Sequence, residues 1–219
     1  MAIMEAFLSG SVVSLRQPDL QKDVLEGEWH SWFNDQEVTK FLSHGVWPVT
    51  REQERDIVAG DLKDPCTLLL SIEDNSTRKH IGVIALKHID HVSRIAEIRI
   101  VMGHERPRGG ALEAMALMTK HAFDRLNLYT LFAGQHEGLW KWVNSLSLIG
   151  YRVNGFMPNM GWRDGAPYSI FQVSVSAPDF YALQTKRGGN ILSENLNDLM
   201  KQRSSTNLAS KLRPLLANL

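Results

Sequence analysis

Apolar residues fall into β-branched runs through the middle of the chain and recur at helical spacing on either side of it. "CTLLLSIED", "HIGVIALKHID" and "SRIAEIRIVMG" follow one another, separated by polar punctuation such as "DNSTRK". Three successive strands of this kind predict an antiparallel meander. Ahead of them, "SVVSL" (Ser11–Leu15) predicts a first strand closed by "RQPD", and "DLQKDVLEGEWHSWFNDQEVTKFL" predicts one or two helices. "PVTREQERDIVAGDL" predicts a further helix, with Thr50 as N-cap and Gln53 completing a capping box. From Ala111 the period changes: Leu112, Met115, Ala116, Met118, Thr119, Ala122 and Phe123 predict a helix of roughly four turns, ending near Leu126. "LYTLFAG" reads as a strand, "EGLWKWVNSLSLI" as a helix stopped by Gly150, and "YRVNGFM" with "YSIFQVSV" as a closing hairpin-like pair. Meander, helix, strand, helix and strand pair together predict an α+β domain with a mixed sheet over residues 1–177. Residues 180–219 then hold six Lys/Arg against two acidic residues, with Leu208, Leu212, Leu215, Leu216 and Leu219 on a helical stripe broken by Pro214. Residues 178–219 are therefore expected to form a basic, helical tail.

Charge narrows the functions available. Lys+Arg and Asp+Glu are 24 each, so no global field draws this chain to nucleic acid or to an anionic membrane. The single cysteine, Cys66, placed before "TLLLSI" in an expected strand, excludes an internal disulfide and a cysteine metal cluster. The N-terminal stretch lacks a basic region ahead of an apolar one, and no apolar run approaches the ~18 residues that span a bilayer. A reducing, cytoplasmic location is expected.

The chemically suggestive stretch is "MGHERPRGGALEAMALM", Met102–Met118. A strand that stops at Gly103, a tight basic loop and a helix opening near Gly109 gather backbone N–H groups with no partner inside the helix at its positive dipole end. Such a terminus binds anions. Gly109 and Gly110 permit close approach, and Arg106 and Arg108 add positive charge. Neither G-x-x-x-x-G-K-[ST] nor G-x-G-x-x-G after a first strand is present, so ATP and NAD are not the natural ligands.

"RPRGGALEA" resembles the acyl-CoA signature [Q/R]-x-x-G-x-[G/A] of the Gcn5-related N-acetyltransferase (GNAT) family, through Arg106, Gly109 and Ala111. The resemblance covers about residues 10–176, where "WFNDQEVTKFL", "HIGVIALKHID", "AEIRIVMG" and "LIGYRVNGFMP" fall in family order. Within the family the chain looks most like the ribosomal-protein and amino-sugar acetyltransferases. The resemblance implies a sheet of six to seven strands with a splayed central pair, flanked by helices. It implies acetyl-CoA as co-substrate; no metal is expected, because the lone cysteine and the diverging His88 and His91 complete no ligand set. Amides around Arg108, Gly109, Gly110 and Ala111 would cradle the pyrophosphate, and Ile100, Val101 and Met102 would hold the pantetheine and thioester, a strand amide stabilising the oxyanion. The chain departs from the family at Pro107, where many members have glycine, at Leu139 and Trp142 in the N-x-x-S helix, and at Leu146, where some members carry a general-acid tyrosine.

Attack on a thioester needs a neutral amine, and a carboxylate commonly removes the proton. Glu97 in "AEIRIV" is the candidate; the alternative is that it pairs with Arg99 or Arg94. Most of the six tryptophans should be core, with Trp32 or Trp162 as candidates for lining an acceptor pocket. Asn34, with Asp35, either holds the acceptor or ends one helix and caps the next. His88 and His91 diverge on a strand end, His104 reads as an exposed loop residue or a phosphate contact, and His44 lies near the acceptor region. The expected partners are a small-molecule or peptide amine, either a nucleotide-linked amino sugar, which is preferred, or a protein N-terminus, and a second copy of the chain. A catalytically silent acyl-CoA-binding or scaffold protein is the alternative.

Overall fold

The structure is a computed structural model describing residues 5–42, 45–192 and 196–216. His44 and Leu219, and the side chains of Leu215 and Leu216, lie outside the described residues. The chain divides into two compact units, residues 1–128 and 129–219.

In the first unit, β1 (Leu8–Ser9), β2 (Val13–Arg16), β3 (Leu68–Asp74), β4 (His80–Asp90) and β5 (Ile95–Met102) lie side by side in chain order, each antiparallel to the last. The predicted meander is β3 to β5. Side chains alternate across a strand, so the register Val83↔Val101, Ala85↔Arg99 and Lys87↔Glu97 puts all six on one face. That face carries an apolar cluster of Leu69, Val83 and Ala85 with Val24, Trp29, Phe33 and Val58. The last four come from a π-helical turn (Leu20–Leu25), α1 (Trp29–Asn34) and α3 (Arg51–Asp61); α2 (Gln36–Thr39) lies between the two helices in sequence. Ile84, Leu86 and Ile98 point the other way and are buried. The long helix α4 (Gly110–Asp124) contacts β4 and β5 and buries Leu112, Met115, Met118 and Ala122.

The expected capping box is present at the start of α3, between Thr50 and Gln53. Two expectations shift. Cys66 precedes β3, exposed, its amide bonded to Asp64 at 2.9 Å. The strand expected at Ser11–Leu15 is β2 and begins at Val13, the amides of Ser11 and Val12 ahead of it being bonded to the Glu113 carboxylate of α4.

The second unit holds β6 (Thr130–His136), α5 (Trp140–Leu146), β7 (Arg152–Arg163) and β8 (Ala166–Ser176), paired antiparallel in the order β6-β8-β7. Short 3₁₀ turns flank α5, and Gly150, at φ 95°, ends the second as a stop that needs no Cβ. The tail forms α6 (Ala177–Lys186), α7 (Leu196–Lys201) and α8 (Leu208–Leu216), with Pro214 inside the last. It is tied down within this unit. Asn144 Nδ2 donates to the carbonyls of Ser204 (2.9 Å) and Thr206 (2.8 Å), and Arg213 Nε donates to Glu137 Oε2 at 2.8 Å.

The class is the predicted one: mixed α+β, with antiparallel strands flanked by helices. Eight strands are present among the described residues where six to seven were expected, the two-residue β1 being one that periodicity cannot detect. No helix among them is long and apolar enough to cross a membrane.

Candidate active site

The Met102–Met118 stretch folds as its pattern dictates. β5 stops at Met102, and Gly109 takes φ 83°, a left-handed conformation, as the N-cap of α4 with no side chain capping the helix. The N–H of Gly110 donates to the Pro107 carbonyl at 3.0 Å. That turn uses one of the expected cradle amides, and Pro107 has none. The amides of Arg108, Gly109, Ala111 and Leu112 make no hydrogen bond among the described residues. Arg106 and Arg108 are exposed and form no ion pair among them. Four unbonded N–H groups at a helix start between two uncommitted guanidinium groups suit an anion of phosphate chemistry.

The cradle is braced from below. Glu113, in the first turn of α4, is buried and accepts hydrogen bonds from Ser11 N (2.8 Å), Ser11 Oγ (2.7 Å), Val12 N (2.7 Å) and Val13 N (2.7 Å). On the loop side, Lys79 pairs with Glu105 at 2.7 Å and His104 with Asp35 at 3.1 Å. His104 is thus exposed but held by a carboxylate.

Ile100, Val101 and Met102 are each partly exposed, whereas Ala96 and Ile98 earlier in β5 are buried. Ile100 and Val101 line a cavity of about 360 Å³ closed by α1, α3 and residues 45–49. Its walls are apolar and aromatic, with Trp29, Phe33, Trp47, Ile57, Val58 and Val83 among them. Glu97 lies on the same face of the sheet. Its Oε2 accepts from Arg99 Nη2 at 2.7 Å, and His88 Nε2 stands 3.9 Å away. The Glu97–Arg99 pair anticipated from sequence therefore forms, and Arg99 reaches the cavity wall.

Sequence reasoning missed Glu54. It lines this cavity from α3, is 7% exposed, and its Oε1 accepts from Trp29 Nε1 at 2.9 Å. Burial pushes its carboxyl above the ordinary range; the Trp29 hydrogen bond and the charge of His30 oppose this, and Asp61 adds to it. The signal was Glu54's place four residues before Val58 on the buried stripe of α3, inside the charged run "REQERD".

The other candidates scatter. Trp32 is buried, its Nε1 without a hydrogen bond, beside Gly103 and His80 in a separate cavity of about 250 Å³. Asn34 is committed to the backbone: its Nδ2 donates to the carbonyls of His30 (2.9 Å) and Val49 (3.1 Å), and its Oδ1 accepts from Val49 N at 3.2 Å. It holds the 45–49 wall in place. Asp35 caps α2 through the amides of Glu37 and Val38. Trp162 is on β7 of the second unit, 71% exposed, and Leu146 is fully buried in α5.

A family profile described as "Acetyltransferase (GNAT) domain" matches residues 13–139. The spermidine N(1)-acetyltransferase of Escherichia coli K12 is 30% identical over 46% of this chain and 62% of its own length, so this chain spans about three fifths of the curated relatives it matches. Among solved structures, the spermidine N-acetyltransferase of Vibrio cholerae in complex with CoA and spermine superposes with TM-score 0.71 at 17% identity, covering 78% of this chain and 99% of that one. A GCN5-related N-acetyltransferase from Brucella melitensis gives TM-score 0.67 at 21% identity, covering 84% of each chain. At such identities these structures establish the fold. The relatives correct one expectation: they are spermidine acetyltransferases, and nothing in them supports the amino-sugar or ribosomal-protein branch, or an amino-sugar or protein N-terminal acceptor.

Proposed function

The chain belongs to the acetyltransferase (GNAT) domain family, and on that premise we propose that it is an acetyl-CoA-dependent N-acetyltransferase of a small primary amine. The carrying observation is the start of α4, where the amides of Arg108, Gly109, Ala111 and Leu112 stand unbonded beside Arg106 and Arg108. These groups suit the pyrophosphate of the co-substrate. Ile100, Val101 and Met102, partly exposed on β5, suit its pantetheine arm. Acetyl-CoA supplies an activated acetyl group when bound. The rest falls to the chain. An alkyl ammonium is mostly protonated at neutral pH, and Glu97, oriented by Arg99, takes that proton directly or through water. The freed nitrogen bonds to the acetyl carbon as the carbon–sulfur bond breaks, the electron pair leaving on the CoA sulfur and the nitrogen's surplus proton passing to that thiolate through solvent, with no covalent enzyme intermediate. The spermidine relatives support a small amine as acceptor, and the lone cysteine accords with a cytoplasmic setting.

Calorimetric binding of acetyl-CoA to wild type and Gly109→Asp tests the reading. Aspartate tolerates positive φ and suits a helix start, so the fold should survive while the added carboxylate repels phosphate. Saturable binding weakened at least tenfold in the variant is expected; no binding to wild type would sink the proposal. Leu146, buried and without acid chemistry, favours a second reading, a silent acyl-CoA-binding protein. Steady-state thiol release with an amine panel separates the two.

A further inference from the structure

Resting on the acetyltransferase reading, we infer that the acceptor is a monoamine carried on an apolar or aromatic body, its single ammonium held by Glu54 in the cavity beside Ile100 and Val101. The cavity is the first observation. At about 360 Å³ it is larger than the ~150 Å³ apolar cavity that suffices for benzene. Trp29, Phe33, Val58 and Val83 form its floor. At its mouth Val46, Trp47 and Ile57 leave 62%, 80% and 54% of their surfaces uncovered, as ligand grooves do.

Its charges are the second observation. Four ionisable side chains line it: Glu54, Asp61, Lys87 and Arg99. Asp61 is ion-paired with Lys87, and Arg99 with Glu97. Glu54 alone forms no ion pair among the described residues, His30 acting on it only at longer range. It is buried on α3, and the Trp29 indole occupies Oε1 while Oε2 makes no hydrogen bond among them. A buried carboxylate with one free oxygen in an apolar, aromatic chamber has one natural complement, an ammonium. Trp47, 80% exposed at the mouth, adds an aromatic surface against which cations and apolar bodies both gain.

The arrangement accommodates one cation and not several. Further ammonium groups of a polyamine would meet apolar walls or the two resident cations, Lys87 and Arg99, with no carboxylate left to receive them. Charge at this face therefore discriminates between amines, although the whole chain is neutral.

The test is binding of 2-phenylethylamine, its neutral analogue 2-phenylethanol, and spermidine to the full chain by calorimetry without acetyl-CoA, with acetyl-CoA binding measured separately. The monoamine should bind at least tenfold more tightly than either comparator. Glu54→Gln, which keeps an acceptor for Trp29, should weaken the monoamine at least tenfold and leave 2-phenylethanol and acetyl-CoA unchanged. Spermidine binding as tightly as the monoamine, or full monoamine affinity in Glu54→Gln, would overturn the inference. Should the variant not fold, the wild-type panel decides alone. Monoamine binding with no acetyl-CoA binding supports the anchor and removes the acetyltransferase reading; acetyl-CoA binding with no monoamine binding removes the anchor alone.

Discussion

His80 should make stability depend on pH in a window that one substitution can isolate. Its ring lies 5.5 Å from that of Trp29 and 4.9 Å from that of Trp32, with 10% of the side chain exposed. Neither nitrogen has a hydrogen bond of regular geometry, though Nδ1 is 3.8 Å from Asp23 Oδ1. Burial pushes its pKa from 6.5 down to about 4; Asp23 opposes this, Arg16 adds to it, and the Gly82 backbone opposes. Above pH ~6.5 both folded and unfolded chains hold the ring neutral. Below that, the unfolded chain binds a proton that the folded one refuses, so stability falls until pH reaches about 4 and then levels. Worked from these two values, the loss between pH 8 and pH 5 is about 2 kcal/mol, or roughly 4–8 °C in Tm for a chain of this size. Urea unfolding of wild type and His80→Leu at the two pH values, followed by tryptophan emission, measures it. His121 and His136, also lowered by burial, titrate in the same direction, and Glu54, raised by burial, in the opposite one. All three are common to both proteins and cancel in the difference. The variant should lose about 2 kcal/mol less than wild type on acidification; identical losses would refute the assignment of a neutral, buried His80.

Glu97→Gln should lower kcat about a hundredfold while leaving the Kd for acetyl-CoA unchanged, and unaltered kinetics would return Glu97 to being only the partner of Arg99. Glu113→Ala strips three buried or half-buried amides and a hydroxyl of their acceptor and should cost at least about 3 kcal/mol, against about 1 kcal/mol for the cap variant Thr50→Ala. Denaturant titration of the two variants side by side ranks them. Cys66→Ser, at an exposed position whose amide contact does not involve the thiol, should stay within about 0.5 kcal/mol of wild type and retain full turnover.

The parts of the fold visible in sequence are those where one local signal suffices. The β-branched runs of β4 and β5, the capping box at Thr50 and the switch to helical spacing at α4 each lie within a dozen or so residues and survive folding unchanged. What stayed hidden depends on partners distant in the chain. "DLQKDVL" looks like part of an ordinary helix, yet Asp23 is buried against Arg16, itself bonded to Glu73 on β3, and the segment winds as a π-helical turn. Asn34 reads in sequence either as an acceptor ligand or as the end of a helix, and neither reading contains the 45–49 segment, whose Val49 uses both ends of the Asn34 side-chain amide. Glu54 is not distinguishable within the charged run "REQERD", because nothing local says that Trp29 and the sheet will cover it. The anion cradle was legible as a glycine-rich junction, but which amides stay unbonded was decided by the Pro107 turn.

The contact between Glu113 and Ser11–Val13 has a kinetic meaning. Its donors and acceptor are separated by 100 to 102 residues, so the start of α4 is clamped by a contact of very high sequence separation. α4 itself can form early from local interactions, but its first turn is held in register only after a loop of that length has closed. On a ribosome, residues 11–13 would wait until Glu113 had emerged. The cradle is therefore a product of late assembly. Refolding followed by recovery of acetyl-CoA binding should lag behind recovery of helical signal, and the lag should lengthen when Glu113 is shortened to aspartate.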